Sequence, residues 1–151
     1  MSNNVYWEDV EVGLEITPWS RTTDFMNWNR YAAVNDEFVY IHMDDEAGRA
    51  ALNERGAFGM GNIRFAYLHN MLRDWAGDEA WVQKVGCQFR AINQKNDTLT
   101  CTGKVTGKRI EDGMYLIDFE MNVVNQEGQT TAPGEATIAL PSRTGNHKLP
   151  V

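Results

Sequence analysis

The apolar residues of this 151-residue chain change their period near residue 80, and this change limits the folds that the chain can adopt. The longest helical pattern runs roughly from Met60 to Trp75. Its apolar residues recur at four-residue steps: Ile63, Tyr67, Met71 and Trp75. Leu68 and Leu72 widen the apolar stripe beyond that of a helix packed on one side only. We therefore predict a long helix that other parts of the chain surround and that ends at Gly77.

From Ala80 onward the pattern alternates with a period of two, as in half-buried strands. Three strands are predicted to turn one apolar face inward: Trp81, Val85, Cys87, Phe89 and Ala91; Leu99, Cys101 and Val105; and Tyr115, Ile117, Phe119, Met121 and Val123. Asp112-Gly113 is a typical hairpin turn, and Gln129 to Leu140 is predicted as the last strand. A long apolar helix followed by antiparallel strands predicts an α+β fold in which a curved sheet wraps around one central helix.

Two shorter helices and a turn are predicted before the central helix, after an irregular opening. Thr22 or Thr23 is the expected cap of a helix that runs to about Val34, and Asp44 or Asp45 is the expected cap of a second one. A glycine-rich turn then leads into the central helix: Gly56, Gly59 and Gly61.

Length and composition predict one domain over positions 1–151, with a core at about 5–141 and a loose tail at 142–151. No run of about 18 apolar residues and no signal peptide is visible, so we expect no membrane association. The net charge of −7 argues against a nucleic-acid interface, which needs clustered cations. Cys87 and Cys101 fit no disulfide framework or metal-ligand spacing, so we expect buried thiols in a protein of the reducing cytoplasm.

Acid–base chemistry is the strongest functional indication, and it lies in the segment between the two short helices. Asp36 and Glu37 precede His42 by a few residues, so a carboxylate and an imidazole on one short loop can reach the same water molecule. The turn before the central helix adds unpaired backbone N–H groups that can stabilise a developing oxyanion, with Gly59 as the candidate donor. The competing interpretation is that these acids and this histidine co-occur by chance and that the glycines only form a turn.

A second candidate feature is a short stretch of basic residues that includes Lys84 and Arg90. Such residues are able to contact the phosphates of an anionic ligand, because the local charge near a site matters more than the total charge. The alternative is a solvated strand face. The sequence indicates neither a metal site nor a redox cofactor.

The order of several motifs resembles that of the MaoC-like dehydratases, the family of the (R)-specific enoyl-CoA hydratases. The family's Tyr-Ala start, Asp-x-Asn-Pro-Ile-His loop and Ala-His-Gly-Met turn correspond to Tyr31-Ala32-Ala33, Glu37-Phe38-Val39-Tyr40-Ile41-His42 and Ala57-Phe58-Gly59-Met60. Its strand and closing motifs resemble Val85-Gly86-Cys87-Gln88-Phe89-Arg90-Ala91, Asn96-Asp97-Thr98-Leu99 and Gly134-Glu135-Ala136-Thr137. The similarity extends over about residues 5 to 141.

This resemblance implies a hot-dog fold and a hydro-lyase that reversibly hydrates a 2-enoyl-CoA without any further cofactor. It implies that Glu37 or Asp36 acts with His42 on the attacking water, and that the Gly59 N–H binds the thioester oxygen. It also implies a homodimer or a heteromer with another hot-dog subunit. Lys84 and Arg90 are the candidates for contacts to the coenzyme A part of the substrate.

The sequence departs from the family pattern at the residues that matter for catalysis. Glu37 stands at the position of the family's Asp, whereas Asp36 has the right chemistry but lies one residue too early. Phe58 replaces the usual His before the turn glycine. Such changes resemble those in steroid side-chain enoyl-CoA hydratase subunits, some of which work as unlike pairs. Two alternatives therefore stay open: a non-catalytic subunit of an unlike pair, and a hot-dog thioesterase, for which only Asp74 offers a carboxylate on the central helix.

Overall fold

The computed structural model describes residues 4–51 and 53–145. The described helices are α1 (Phe25–Asn35), α2 (Asp45–Ala51) and α3 (Gly61–Ala76), with short 3-10 helices at Trp7–Asp9 and Tyr40–His42. The strands are β1 (Trp19–Thr22), β2 (Trp81–Cys87), β3 (Thr98–Glu111), β4 (Met114–Val124) and β5 (Thr130–Ala139). They form one antiparallel sheet in the order β1-β3-β4-β5-β2, so β1 and β2 are its edges.

The core lies between α3 and the concave face of the sheet, as the sequence predicts. The buried face of α3 carries Ile63, Tyr67, Leu68, Met71, Leu72 and Ala76. It packs against β1, β2, β3 and β4, whose inner faces include Leu99, Cys101, Val105, Ile117, Phe119, Met121 and Val123. The α+β prediction of a curved sheet around one central helix is therefore confirmed. Neither α3 nor any other helix of the described residues is long and apolar enough to cross a membrane.

The β3–β4 hairpin and a bulge give the sheet its shape. Asp112 and Gly113 form the predicted turn, and both have positive φ, 51° and 81°, as tight hairpin turns of this kind require. The register between β3 and β4 shifts between Val105 and Gly107. Such a bulge bends the strand and increases its twist, which helps the sheet to curve around α3.

Two local predictions in the first half differ from the structure. The residues before Phe25 are not wholly irregular, because Trp19–Thr22 forms edge strand β1 and pairs with β3. Thr22 therefore belongs to a strand, and α1 is capped by Asp24, whose carboxylate accepts the Asn27 N–H at 2.8 Å. The cap predicted for α2 is confirmed for Asp44, which accepts the Ala47 N–H at 2.7 Å.

The first strand after α3 is shorter and less regular than its alternation predicts. β2 ends at Cys87, and its pairing with β5 is interrupted between Val82 and Lys84. Trp81 and Phe89 are 41% and 48% exposed, so the single buried face predicted for this segment is wrong. The reason is that β2 is an edge strand with a bulge, which breaks the alternation of the side chains.

The end of the described chain is held against its beginning. Arg143 forms an ion pair with Asp9 at 2.5 Å and lies 4.3 Å from the centre of the Tyr6 ring. The Ser142 hydroxyl donates to the Glu8 carboxylate at 2.5 Å. Ser142 and Arg143 of the predicted tail therefore have polar partners near the start of the described chain, while positions 146–151 lie outside the described residues.

Candidate active site

A cavity of about 320 Å³ lies beside His42, at the start of α3. It is formed by the 3-10 helix at Tyr40–His42, the turn before α3 and the segment that follows β2. The residues that line it include His42, Phe58, Gly59, Gly61, Arg64 and Phe89. We call this space the His42 cavity.

His42 is fixed in one orientation by a backbone carbonyl. The side chain is only 8% exposed, and its Nδ1 lies 2.7 Å from the Phe58 carbonyl oxygen. A carbonyl oxygen only accepts, so Nδ1 carries the proton of this bond, and Nε2 of the neutral ring is left as an acceptor. The Phe58 ring packs edge-on against the imidazole at 5.2 Å between ring centres. His42 thus has the arrangement of a histidine base whose other nitrogen is held by the protein.

The two candidate carboxylates lie outside this cavity. Asp36 is exposed and ends α1 in the left-handed conformation, with φ 54° and ψ 36°. Glu37 is half-buried, and its charge contributes, after burial itself, to the raised pKa of Tyr31. Neither carboxylate is among the residues that line the His42 cavity. The structure therefore brings His42 and Gly59 together, but neither Asp36 nor Glu37 with them.

Gly59 lines the cavity, but its N–H group already has an acceptor. It donates to the Asn93 carbonyl at 2.9 Å, so the donor predicted for a substrate oxygen is occupied. Gly61, the first residue of α3, also lines the cavity, and its N–H donates to no acceptor among the described residues. Unpaired N–H groups in the first turn of a helix carry partial positive charge. This helix end is therefore the better candidate for holding an oxyanion.

Sequence reasoning missed Arg64, a buried cation in the same cavity. Arg64 is 3% exposed, and its Nη1 donates to the carbonyls of Ala91 at 2.5 Å and Thr131 at 3.0 Å. Burial lowers its pKa to about 10, so the guanidinium remains charged at neutral pH. The sequence does contain an indication of this position. Arg64 stands four residues before Leu68 in α3, so the helical pattern places it on the buried face of the helix.

Solved structures share this arrangement of sheet and central helix. (R)-hydratase PhaJ1 from Pseudomonas aeruginosa matches with a TM-score of 0.82 and 18% identity, covering 98% of this chain and 95% of that one. A MaoC-like dehydratase from Rhodospirillum rubrum gives 0.78 and 17%, covering 93% and 99%. The ChsH1–ChsH2 complex from Mycobacterium tuberculosis gives 0.76 and 21%, covering 86% and 98%. The chain has the hot-dog fold of these structures. No protein-family model and no curated protein sequence matches the chain.

The two basic residues predicted to contact phosphates lie in different places on the hot-dog sheet. Arg90 follows β2, is exposed, and lines the His42 cavity, where it contacts the Gln88 side chain. Lys84 lies on edge strand β2 and forms an exposed ion pair with Glu135 at 2.7 Å. Its neighbours form a separate hollow on the sheet. Of these two residues, therefore, Arg90 is able to contact a ligand in the His42 cavity, and Lys84 is not.

The cysteines of the hot-dog core do not form a reactive site. Burial raises the pKa of Cys101 to about 12 and also raises that of the half-buried Cys87. Both thiols are therefore protonated at neutral pH and are weak nucleophiles. Among the described residues, no group of three or more His, Cys, Asp or Glu side chains is close enough to hold a metal ion.

Proposed function

We propose that the chain hydrates a 2-enoyl-CoA to a 3-hydroxyacyl-CoA, with His42 as an acid–base residue. The observation that carries this proposal is the fixed imidazole: Nδ1 is held by the Phe58 carbonyl, and Nε2 remains to exchange a proton inside the cavity. Hydration adds the water oxygen to C3 of the acyl group and a proton to C2. A base must take the proton from water, and an acid must supply the proton at C2.

Glu37 is our preferred carboxylate partner, with Asp36 as the alternative. Glu37 is half-buried, whereas Asp36 is exposed and serves to end α1. A partly buried carboxylate loses less of its effect to solvent than an exposed one. Because Glu37 does not line the cavity, its role requires either a water molecule between it and His42 or a movement of the loop that follows α1.

The thioester oxygen becomes negative as water attacks, so it needs a donor within the cavity. We assign this role to the Gly61 N–H, because the Gly59 N–H donates to Asn93. The Gly59 N–H could bind the thioester oxygen only after its hydrogen bond to the Asn93 carbonyl had broken. Removing one such donor costs about 3 kcal/mol of barrier in well-studied oxyanion holes. Arg90, at the same cavity, is the candidate contact for the coenzyme A part.

The test is the turnover of crotonyl-CoA and longer enoyl-CoAs by the purified chain and four variants. We expect His42→Ala to lower kcat/KM by roughly 100-fold or more, because an acid–base residue contributes at least about that factor. Glu37→Gln should lower it similarly, and Asp36→Asn should have little effect. His69→Ala is the matched control, since Nδ1 of His69 also lies within hydrogen-bond distance of a backbone carbonyl, that of Phe65, but His69 lies outside the cavity.

Two results would contradict this assignment. An equal loss in His42→Ala and His69→Ala would show that His42 has no special role. A large loss in Asp36→Asn with an unchanged Glu37→Gln would exchange the two carboxylates.

A non-catalytic subunit is the second candidate function. The observation that favours it is that neither carboxylate lines the cavity of His42. One of the similar structures is itself a complex of two differently named chains, ChsH1 and ChsH2. A folded chain that is inactive on every enoyl-CoA would support this role. The thioesterase alternative has less support, because Asp74 lies in a hollow with Met71 and Trp75, apart from His42.

A further inference from the structure

Arg64 is a buried cation without a carboxylate partner among the described residues. Among the described residues, none of the ion pairs includes it. Burial lowers the pKa of Arg64, and among the residues that the structure describes the Cys87 thiol is the one titratable group that counteracts this. Enclosing a charge costs several kcal/mol unless it is paired or hydrogen-bonded. Two carbonyls compensate part of that cost through Nη1.

The remaining edge of the guanidinium has no partner. Nε is fully enclosed and donates to nothing among the described residues. Nη2 also donates to none of the described residues. In contrast to Nε, Nη2 is not fully enclosed. Nη1 thus anchors Arg64, Nε is enclosed, and Nη2 is the donor that is left for a ligand.

We propose that the His42 cavity binds a carboxylate, which Nη2 of Arg64 holds and whose charge the guanidinium balances. Arg64 lines the cavity together with His42, so a carboxylate bound there lies in the same space as the imidazole. The Phe89 ring stands 4.9 Å from the guanidinium carbon and restricts its movement. The cavity volume of about 320 Å³ suits a small ligand. This inference shares its cavity with the proposed function but does not depend on turnover.

A matched pair of probes tests the charge requirement. Crotonate and crotonamide have nearly the same shape, but only crotonate carries a carboxylate. We would titrate each into isotope-labelled protein and follow the Arg64 Nε–H and the backbone amides of the cavity by NMR. We expect crotonate to bind at least about tenfold more tightly, because hydrogen bonds to a charged partner are about twice as strong as neutral ones.

Variants of Arg64 test whether this side chain is the cause. Arg64→Met and Arg64→Lys should each remove most of the preference for crotonate, since Met has no charge and a Lys ammonium cannot both replace the bonds of Nη1 to the two carbonyls and reach the ligand. Arg73→Met is the matched control, because Arg73 lies on the same helix but is exposed, and it should leave the preference unchanged. If Arg64→Met does not fold, the Lys variant and the comparison of the two probes on the wild type still decide.

Three outcomes would overturn the proposal. Equal binding of crotonate and crotonamide would show that charge is not recognised, and unchanged crotonate binding in a folded Arg64 variant would place the site elsewhere. Tighter binding of inorganic phosphate than of crotonate would make this a phosphate site. Crotonate binding at Arg64 in a chain without hydratase activity would leave the inference intact while the proposed function fails.

Discussion

Backbone carbonyls fix both buried polar side chains of the cavity. The Phe58 carbonyl holds Nδ1 of His42, and the carbonyls of Ala91 and Thr131 hold Nη1 of Arg64. Because a carbonyl only accepts, each bond also determines which nitrogen is committed. The nitrogens that remain for a ligand are Nε2 of the imidazole and Nη2 of the guanidinium. An imidazole and a cation with fixed orientations thus line one small cavity.

Close packing requires a glycine at position 59. A Cβ at this position would overlap the side-chain amide of Asn93 and lie 2.9 Å from Nε1 of Trp28, both of which are buried. We expect Gly59→Ala to lower the free energy of unfolding by about 1–3 kcal/mol, the usual cost of overpacking. Urea unfolding followed by tryptophan fluorescence measures the change.

Gly86→Ala is the control for that substitution. Gly86 has open space where a Cβ would be and does not have the positive φ that disfavours other residues. We expect a change within about 0.5 kcal/mol, as for most surface positions. A loss in Gly86→Ala equal to that in Gly59→Ala would show that the effect is not one of packing against Asn93 and Trp28.

Sequence reasoning located His42, Gly59 and Arg90, which line one cavity, but it could not arrange the other site residues. Asp36 and Glu37 are close to His42 in sequence, yet the left-handed turn at Asp36 sets the path of the chain after α1. That path depends on packing between distant segments, which spacing does not describe. Arg64 was missed because a basic residue beside an apolar stripe is usually solvated.

At the scale of elements, the long and regular patterns were predictable and the edges were not. α3 and strand β4 have sustained periods, and both lie where the sequence predicts. β1 is four residues long, and its pairing with β3 includes side-chain hydrogen bonds such as Ser20–Thr100 at 2.8 Å. Pairing with residues about 80 positions away stabilises this strand. No local sequence pattern therefore predicts it.

The end of α3 gives a prediction at this scale. Gly77 has φ 88° and ψ −178°, a conformation that is essentially limited to glycine. We expect Gly77→Ala to destabilise the protein by about 1–3 kcal/mol, because an alanine in this conformation is strained by about that amount. Thermal unfolding would measure it, with Asp78→Ala at the next, exposed position as the control. A stable Gly77→Ala variant would mean that α3 can end with a different turn.

At the scale of the whole molecule, the sheet has two open edges. At one edge, the short strand β1 pairs with one end of β3. At the other edge, the longer strand β2 pairs with β5 on one side and has no neighbouring strand on its other side among the described residues. An unpaired strand edge offers N–H and C=O groups to another chain. Trp81 begins β2 opposite Ala139 and is partly exposed, so an apolar ring stands at that edge. This arrangement suits a second hot-dog subunit that continues the sheet.

We therefore predict that the purified chain forms a homodimer through β2, with about twice the 17.1 kDa of one chain. Trp81→Glu should weaken the dimer roughly tenfold or more, because a charge would be placed in the contact without a partner. Light scattering over a dilution series measures the mass. Ile110→Glu is the matched control, since Ile110 is also exposed but lies near the β3–β4 turn. A monomeric wild type would exclude the homodimer and favour an unlike partner at this edge, whereas equal weakening by both variants would move the contact away from β2.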